Sequence, residues 1–418
     1  MPIFHQQTKH SYVSVRKNTT FLDWKTQPKN YKIYPHFNQR FKIDDYKELD
    51  GLNLIGGITY EKNYPDGTYY LRSVPSAGGL YPCEIYMQIR GVKGLLNGIY
   101  HYEPHSANIV LLQEIQKDGV EYYFNDKYKQ KGFVFLVSSI YFRSSWKYKD
   151  RSIRYIFLDS GHQIGSIYAG LCVMGKESEL LFDFDKLCLN DKFGFRKDEL
   201  FTCAIRSSSK EVQEVSEIKQ KLSYVSGCDY LQRNEFIQLA YEQSVEYDDE
   251  MQKMPQFFKN VGSETLQTAI LNRRSIRAFY QRNITKENFD FILEDIYPFA
   301  NLYNVDIFCT IHLVDKMQMG LYKNGTLVKE GDFRGKSEYL SLEQKLGGQS
   351  GVTFYFTSDE YIKYQKVNIL AGFIAQIIYI RCEILNIGCT GIGAYYDDEV
   401  KEFLQTHNNI LYLLAIGI

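Results

Sequence analysis

The chain has 418 residues, 44% of them hydrophobic and 24% charged, an ordinary globular composition with length for about two or three domains. Lysine and arginine total 49 against 50 aspartate and glutamate, so no broad basic field favours nucleic acid or an anionic membrane, and any anion site must be local. The eight cysteines form no CxxC pair and sit mostly in apolar runs, the pattern of reduced core thiols in a cytoplasmic protein rather than of a zinc site or a disulfide framework.

In chain order, residues 1–45 read as a polar, aromatic N-terminal arm lying over the surface, and MPIFHQQTKHSYVSVRK at its start lacks the apolar core of a signal peptide. A first domain spans 46–210. Its RSVPSAGGLYPCEIY (72–86) pairs a loop of small residues with a strand. Pro75 fixes its own backbone angle, Gly78 and Gly79 allow left-handed backbone, and Ser76 and Ala77 leave little side chain in the way, so a flat ligand could lie on the main chain from Pro75 to Leu80. After Pro82, Cys83, Ile85, Met87 and Ile89 alternate with Glu84, Tyr86, Gln88 and Arg90, the period of a half-buried strand. A tight turn feeding a strand, with nothing bound, fits the same residues. A hairpin with Pro104 in its turn follows over 98–112, then an apolar strand at 133–140, a long helix at 153–173 and a closing strand at 199–205. Gly161, Gly165 and Ala169 leave one helix face nearly bare. His101 and His105 are four apart, but Pro104 and the turn between them speak against metal ligation.

The charged stretch 211–262, including VEYDDEMQK, reads as a mostly helical connector, and a second domain spans 263–418. That domain repeats the first with losses. PFANLYNVDIF (298–308) is a worn copy of PSAGGLYPCEIY, and GLYKNGTLV (320–328) answers the hairpin with an Asn-Gly turn. Residues 351–357 answer 132–138, residues 367–385 answer the long helix with Gly372 and Tyr379 for Gly161 and Tyr168, and NILYLLAIGI (409–418) answers the closing strand. Five elements recurring in one order indicate an internal duplication. The run 369–380 carries Gln376 and is too short to span a bilayer, so it reads as a buried helix. Just after the apolar run 266–271, NRRSIRAF (272–279) puts three arginines within five residues. The spacing of four predicts Arg273 and Arg277 on one helical face with Ser275 between them, two guanidinium forks and a hydroxyl suited to a phosphate monoester; a charged, exposed helix end fits as well.

PSAGGLYP, followed by GLLNGIYHYEP (94–104), resembles the flavin-dependent nitroreductase superfamily, in particular its SagB-type branch of thiazoline and oxazoline dehydrogenases. The arm, with HQQTKHSYVSVR and LDWKTQPKNYKIYP, resembles the leader of two-domain SagB-type proteins. The resemblance implies an α+β nitroreductase-like fold in two copies, forming an intramolecular pseudo-dimer. In the superfamily two subunits share two FMN sites. Here the front loop survives and the back one is roughened by Phe299, Asn301 and Asn304, whereas RRSIR, which resembles the family's RRSxR signature, has no front counterpart. The resemblance therefore implies one composite FMN site: isoalloxazine over Pro75, Ser76, Ala77, Gly78, Gly79 and Leu80, phosphate on Arg273, Ser275 and Arg277. GCTGIGAYYD (388–397) resembles the GIG segment bordering the flavin, which adds Gly391, Ile392 and Gly393; a helix C-cap would also explain one of those glycines.

In azoline dehydrogenases of that branch a Lys-Tyr pair is implicated in removing the proton that accompanies hydride loss; here the resemblance points to Lys147 and Tyr148. Two half-exposed residues before a helix would look the same. The family's further basic residues beyond the last strand have no counterpart, so the connector or the arm supplies that charge, or FMN binds less tightly. The expected function is an FMN oxidoreductase acting on a peptide-derived azoline or related small molecule, with a cyclodehydratase as possible partner. The alternatives are an NAD(P)H-dependent nitro or quinone reductase, and a flavin-free scaffold.

Overall fold

A computed structural model describes residues 3–17, 21–64, 67–124, 127–245 and 254–418. It divides into two compact units, a front unit over residues 23–254 and a back unit over residues 255–418 together with the N-terminal residues up to 22. The stretch read as one arm is therefore divided between them.

The front unit contains strands β1 (Arg40–Lys42), β2 (Ile58–Tyr64), β3 (Gly67–Arg72), β4 (Cys83–Arg90), β5 (Gly98–Glu103), β6 (Asn108–Glu114), β7 (Tyr128–Ser139), β8 (Glu179–Leu181) and β9 (Leu200–Glu214). β2 and β3 form a separate hairpin, and the rest make an antiparallel sheet in the order β1-β6-β5-β4-β7-β9-β8. Tyr86, Val134, Leu136, Phe193, Phe195 and Phe201 pack into one core against it. A short helix, Tyr141–Tyr148, leads to the first long helix, Ser152–Val173, whose residues 152–171 are all buried.

The alternation in β4 is real, but neither face meets water: all eight residues are buried. Each polar member is paired instead. Glu84 meets Arg143 at 2.7 Å and His101 at 2.8 Å, the Tyr86 hydroxyl donates to Glu199 at 3.0 Å, Gln88 accepts from the Val120 amide at 2.8 Å, and Arg90 meets Glu121 at 3.2 Å. The segment expected to lie on the surface helps cover this layer. Lys32 is buried, with Nζ 2.5 Å from Glu199 and 2.7 Å from the Tyr86 hydroxyl. Buried charges survive only when paired in this way.

The connector expectation also changes. Residues 207–214 are not helical; they extend β9, whose Ser209, Lys210 and Glu214 pair with Lys131, Gln130 and Tyr128 of β7. Val212 is fully exposed, so these residues carry no amphipathic stripe and the long partner strand decides their conformation. A helix does occur at Glu235–Glu242, capped by the Asn234 side chain. Of VEYDDEMQK, all but Val245 lies outside the described residues.

The back unit contains β10 (Asp306–Ile311), β11 (Gly320–Lys323), β12 (Thr326–Glu330), β13 (Val352–Ser358), β14 (Gly388–Ile392) and β15 (Asn409–Gly417), with the second long helix at Tyr364–Ile384. Its sheet order, β12-β11-β10-β13-β15-β14, is the front order β6-β5-β4-β7-β9-β8 over again. Each long helix joins equivalent strands, β7 to β8 and β13 to β14. The Asn324-Gly325 turn has φ of 46° and 85°, left-handed at both positions as a two-residue hairpin requires. The presumed copy of the small-residue loop differs: residues 296–302 form a helix, with Pro298 tolerated in its first turn. Among helices of the described residues, Tyr364–Ile384 is long and apolar enough to cross a membrane, and 89% of its apolar window is buried within the protein.

Candidate active site

In the front unit Ala77, Gly78 and Gly79 make a single 3₁₀ turn, with φ of +64° at Gly78 and +66° at Gly79. The turn is held from inside. Asp159, the one carboxylate of the first long helix, accepts from the Ser76 hydroxyl at 2.6 Å and from the Ala77 amide at 3.2 Å, while Ser76 Oγ accepts from the Tyr81 amide at 2.9 Å. Burial pushes the Asp159 carboxyl up to about 7, against the pull of those two hydrogen bonds. The Tyr69 hydroxyl donates to the Gly79 carbonyl. Behind the turn, beside Asp159 and Gln163, lies a cavity of about 10 Å³, room for one water at most. A flat ligand therefore has only the outer face, where Gly78 is exposed; Leu80 is buried and offers main chain alone.

Lys147 and Tyr148 end the short helix Tyr141–Tyr148 and reach that outer face. A Cβ placed on Gly78 would lie 2.5 Å from the Tyr148 hydroxyl and 3.3 Å from Lys147 Nζ. The glycine thus admits both groups to the bare backbone. Burial lowers the Lys147 pKa, which makes its neutral amine more accessible than that of a surface lysine. Lys147 and Tyr148, predicted some seventy residues downstream of the loop, are brought against it.

In the back unit the helix Ser263–Asn272 stops before the arginines, and Arg273 is already extended at φ −49°, ψ 122°. The shared helical face is therefore absent. Instead Ser275 bridges to Cys389 as a parallel strand would, and the Ile276 amide donates to the Cys389 carbonyl at 3.0 Å. Tyr379 of the second long helix gathers the pieces. Its hydroxyl accepts from the Gly391 amide at 2.6 Å and lies 3.0 Å from Ser275 Oγ, and the Arg273 guanidinium carbon sits 5.5 Å from its ring centre. Burial holds the Tyr379 pKa up to about 12, so the phenol keeps its proton, and either hydroxyl can donate across its contact with Ser275 Oγ. Glu383 lies within reach of the charges on Arg273 and Arg274; burial raises its pKa and the arginines oppose the rise. Arg277 is exposed.

The Gly391–Gly393 segment is not a helix cap. Gly391 and Ile392 end β14, with Gly391 opposite Leu414 of β15. A Cβ on Gly391 would fall 1.8 Å from the Tyr412 hydroxyl, so packing inside the sheet already demands glycine there, and its amide is committed to Tyr379. Ile392 is buried and Gly393 follows the strand. Sequence reasoning missed Asp159, whose signal was a single carboxylate within twenty-two helical residues, and the clustering role of Tyr379.

The front unit holds a glycine-floored turn facing an amine and a phenol, and the back unit a guanidinium-hydroxyl cluster at a strand edge. Residues 270–418 match the Nitroreductase family. That nitroreductase-family match begins just before Arg273 and runs to the last strand. One relative, "Putative nitroreductase MJ1384" of Methanocaldococcus jannaschii, is 30% identical over 115 residues, which is 27% of this chain and 54% of the relative. The chain thus spans about half the length of that curated relative. A crystal structure described as a "putative nitroreductase" from Anabaena variabilis superposes with a TM-score of 0.81 at 22% identity, over 99% of this chain and 98% of its own. The whole chain, front unit included, therefore has a fold found in a nitroreductase-type structure.

Proposed function

We propose that the chain is an FMN-dependent oxidoreductase of the SagB-type branch, oxidising a peptide-derived azoline or a related substrate in the cytoplasm beside a cyclodehydratase. The observation that carries this reading is Lys147 Nζ and the Tyr148 hydroxyl standing at the missing side chain of Gly78. The repeated strand order supports an internal duplication that turns the superfamily's two-subunit arrangement into an intrachain pseudo-dimer. On this reading the main chain of Pro75–Leu80 would hold the flavin ring, and Arg273, Ser275 and Arg277 would be the groups offered to its phosphate. The residues fit the group in kind: the Pro75–Leu80 turn presents main chain with little side chain at Ser76–Gly79, and Arg273, Ser275 and Arg277 supply guanidinium and hydroxyl donors suited to an anion. When bound, FMN supplies a two-electron acceptor for hydride. Lys147, its neutral amine favoured by burial, would take the proton that the substrate loses with its hydride, and Tyr148, beside it at Gly78, would orient the substrate.

The purified protein is expected to show flavin absorbance, abolished by Arg273→Ala and retained in Lys147→Ala, whose substrate oxidation falls about 100-fold. Colourless protein that FMN cannot reconstitute overturns the reading. The names of the relatives, both putative nitroreductases, favour a second reading, a nitro reductase, for which NAD(P)H would be the reductant. Rapid flavin reduction by NADPH in anaerobic stopped flow would select it.

A further inference from the structure

Trp24 is a large aromatic side chain kept in the open by a well-anchored turn. It opens the 3₁₀ turn Trp24–Thr26, in which Asp23 accepts from the Lys25 amide at 3.1 Å. Thr26 is held at all three of its polar groups: its amide donates to the Asp23 carbonyl at 3.0 Å, its hydroxyl accepts from Trp146 Nε1 at 2.9 Å, and its carbonyl accepts from the Tyr230 hydroxyl at 2.6 Å. Lys29 pairs with Asp229 at 2.9 Å farther along. Trp24 meets Trp146 edge-on, ring centres 5.6 Å apart, and still leaves 58% of its surface exposed. Covering Trp146 does not require an indole left mostly in water.

What the exposed ring stands beside is more informative. Lys147 Nζ lies 5.0 Å from the Trp24 ring centre and 5.3 Å from that of Tyr148, so the amine is flanked by two aromatic rings. Trp24 is thus linked through Lys147 and Tyr148 to the backbone of Gly78 by successive contacts. We propose that Trp24 is a specificity-determining residue, a fixed platform on which a flat, unsaturated substrate ring stacks so that its edge meets Lys147. This rests on Lys147 and Tyr148 marking the reaction site, and adds the class of molecule: flat π-systems are preferred to puckered saturated rings of equal size. Offset stacking on an indole rewards the former and gives the latter only apolar contact.

The test measures calorimetric binding of two neutral probes of equal heavy-atom count, nitrobenzene and nitrocyclohexane, to the full-length protein as purified, its Trp24→Ala variant and its Trp24→Phe variant. Trp24→Ala is expected to weaken nitrobenzene about tenfold and to change nitrocyclohexane less than twofold, with Trp24→Phe recovering most of the loss. Equal losses for both probes, or undiminished binding of the planar one, would overturn the proposal. Planar-ring selectivity that depends on Trp24 in a protein without flavin upholds the platform while overturning the redox reading alone.

Discussion

Replacing Asp159 with asparagine tests how the front turn is held. The carboxyl is wholly buried and its pKa rises from 3.8 to about 7, with desolvation the largest cause. In the unfolded chain it ionises near its ordinary value. Between pH 4 and 7 the folded state therefore holds a proton that the unfolded state has released, and stability must fall as pH rises through that window. At 1.36 kcal/mol per pH unit the interval amounts to roughly 4 kcal/mol, an upper figure for one buried group. An asparagine in its place cannot ionise. The amide oxygen can accept from the Ala77 amide as the carboxylate does, and the NH₂ can donate to Ser76 Oγ. Asp159→Asn should match the parent near pH 4.5 and exceed it by about 2 kcal/mol or more at pH 8. Both tryptophans, Trp24 and Trp146, lie in the front unit, so urea denaturation followed by their fluorescence reports that unit directly. The buried Lys186, held down to about 7 by desolvation, adds its own pH dependence above neutrality, but equally in both proteins. Stability profiles of parent and variant that run parallel from pH 4.5 to 8 would refute the reasoning.

Two further outcomes follow from the contacts described. Gly78→Ala forces a side chain into left-handed backbone at a cost of about 1–2 kcal/mol and drives the new methyl toward the Tyr148 hydroxyl; a lower urea midpoint with an unchanged m-value is expected, and an unaltered midpoint counts against the geometry. Tyr379→Phe strips the Gly391 amide and the Ser275 hydroxyl of their shared phenol, an expected loss of about 1–3 kcal/mol. Hydrogen exchange at Gly391 should accelerate correspondingly, and an unchanged rate would show that the amide has another acceptor.

The elements legible in the sequence were those fixed by local chemistry. The two long helices announce themselves by apolar runs that only a buried helix can use, and Asn324-Gly325 by a turn type few other residues enter. Readings that depended on a partner fared worse. The polar side of β4 looked solvated because no local signal reveals that Lys32, Arg143 and Glu199 come to meet it. Arg273 and Arg277 looked helical because a spacing of four is ambiguous, and the pairing of Ser275 with Cys389, over a hundred residues away, decides for extended chain. Gly391 was read as a place for a ligand; its packing against Tyr412 inside the sheet is a second demand for a small residue that no local signal reveals. The Lys147–Tyr148 pair was legible only through resemblance, since nothing in WKYKDR announces a neighbour as distant as Gly78.

The repeated strand order has a cost during synthesis. Two sheets wired alike invite each strand to dock into the wrong half, the hazard of tandem repeats in general. Unequal lengths act as identity marks against such swaps. β7 and β9 run for 12 and 15 residues, whereas β13 and β15 run for 7 and 9, so a mispaired hybrid would leave a long stretch of backbone amides unmatched. β1 adds a further mark by sealing the β6 edge, while β12 is the outermost strand of the back sheet.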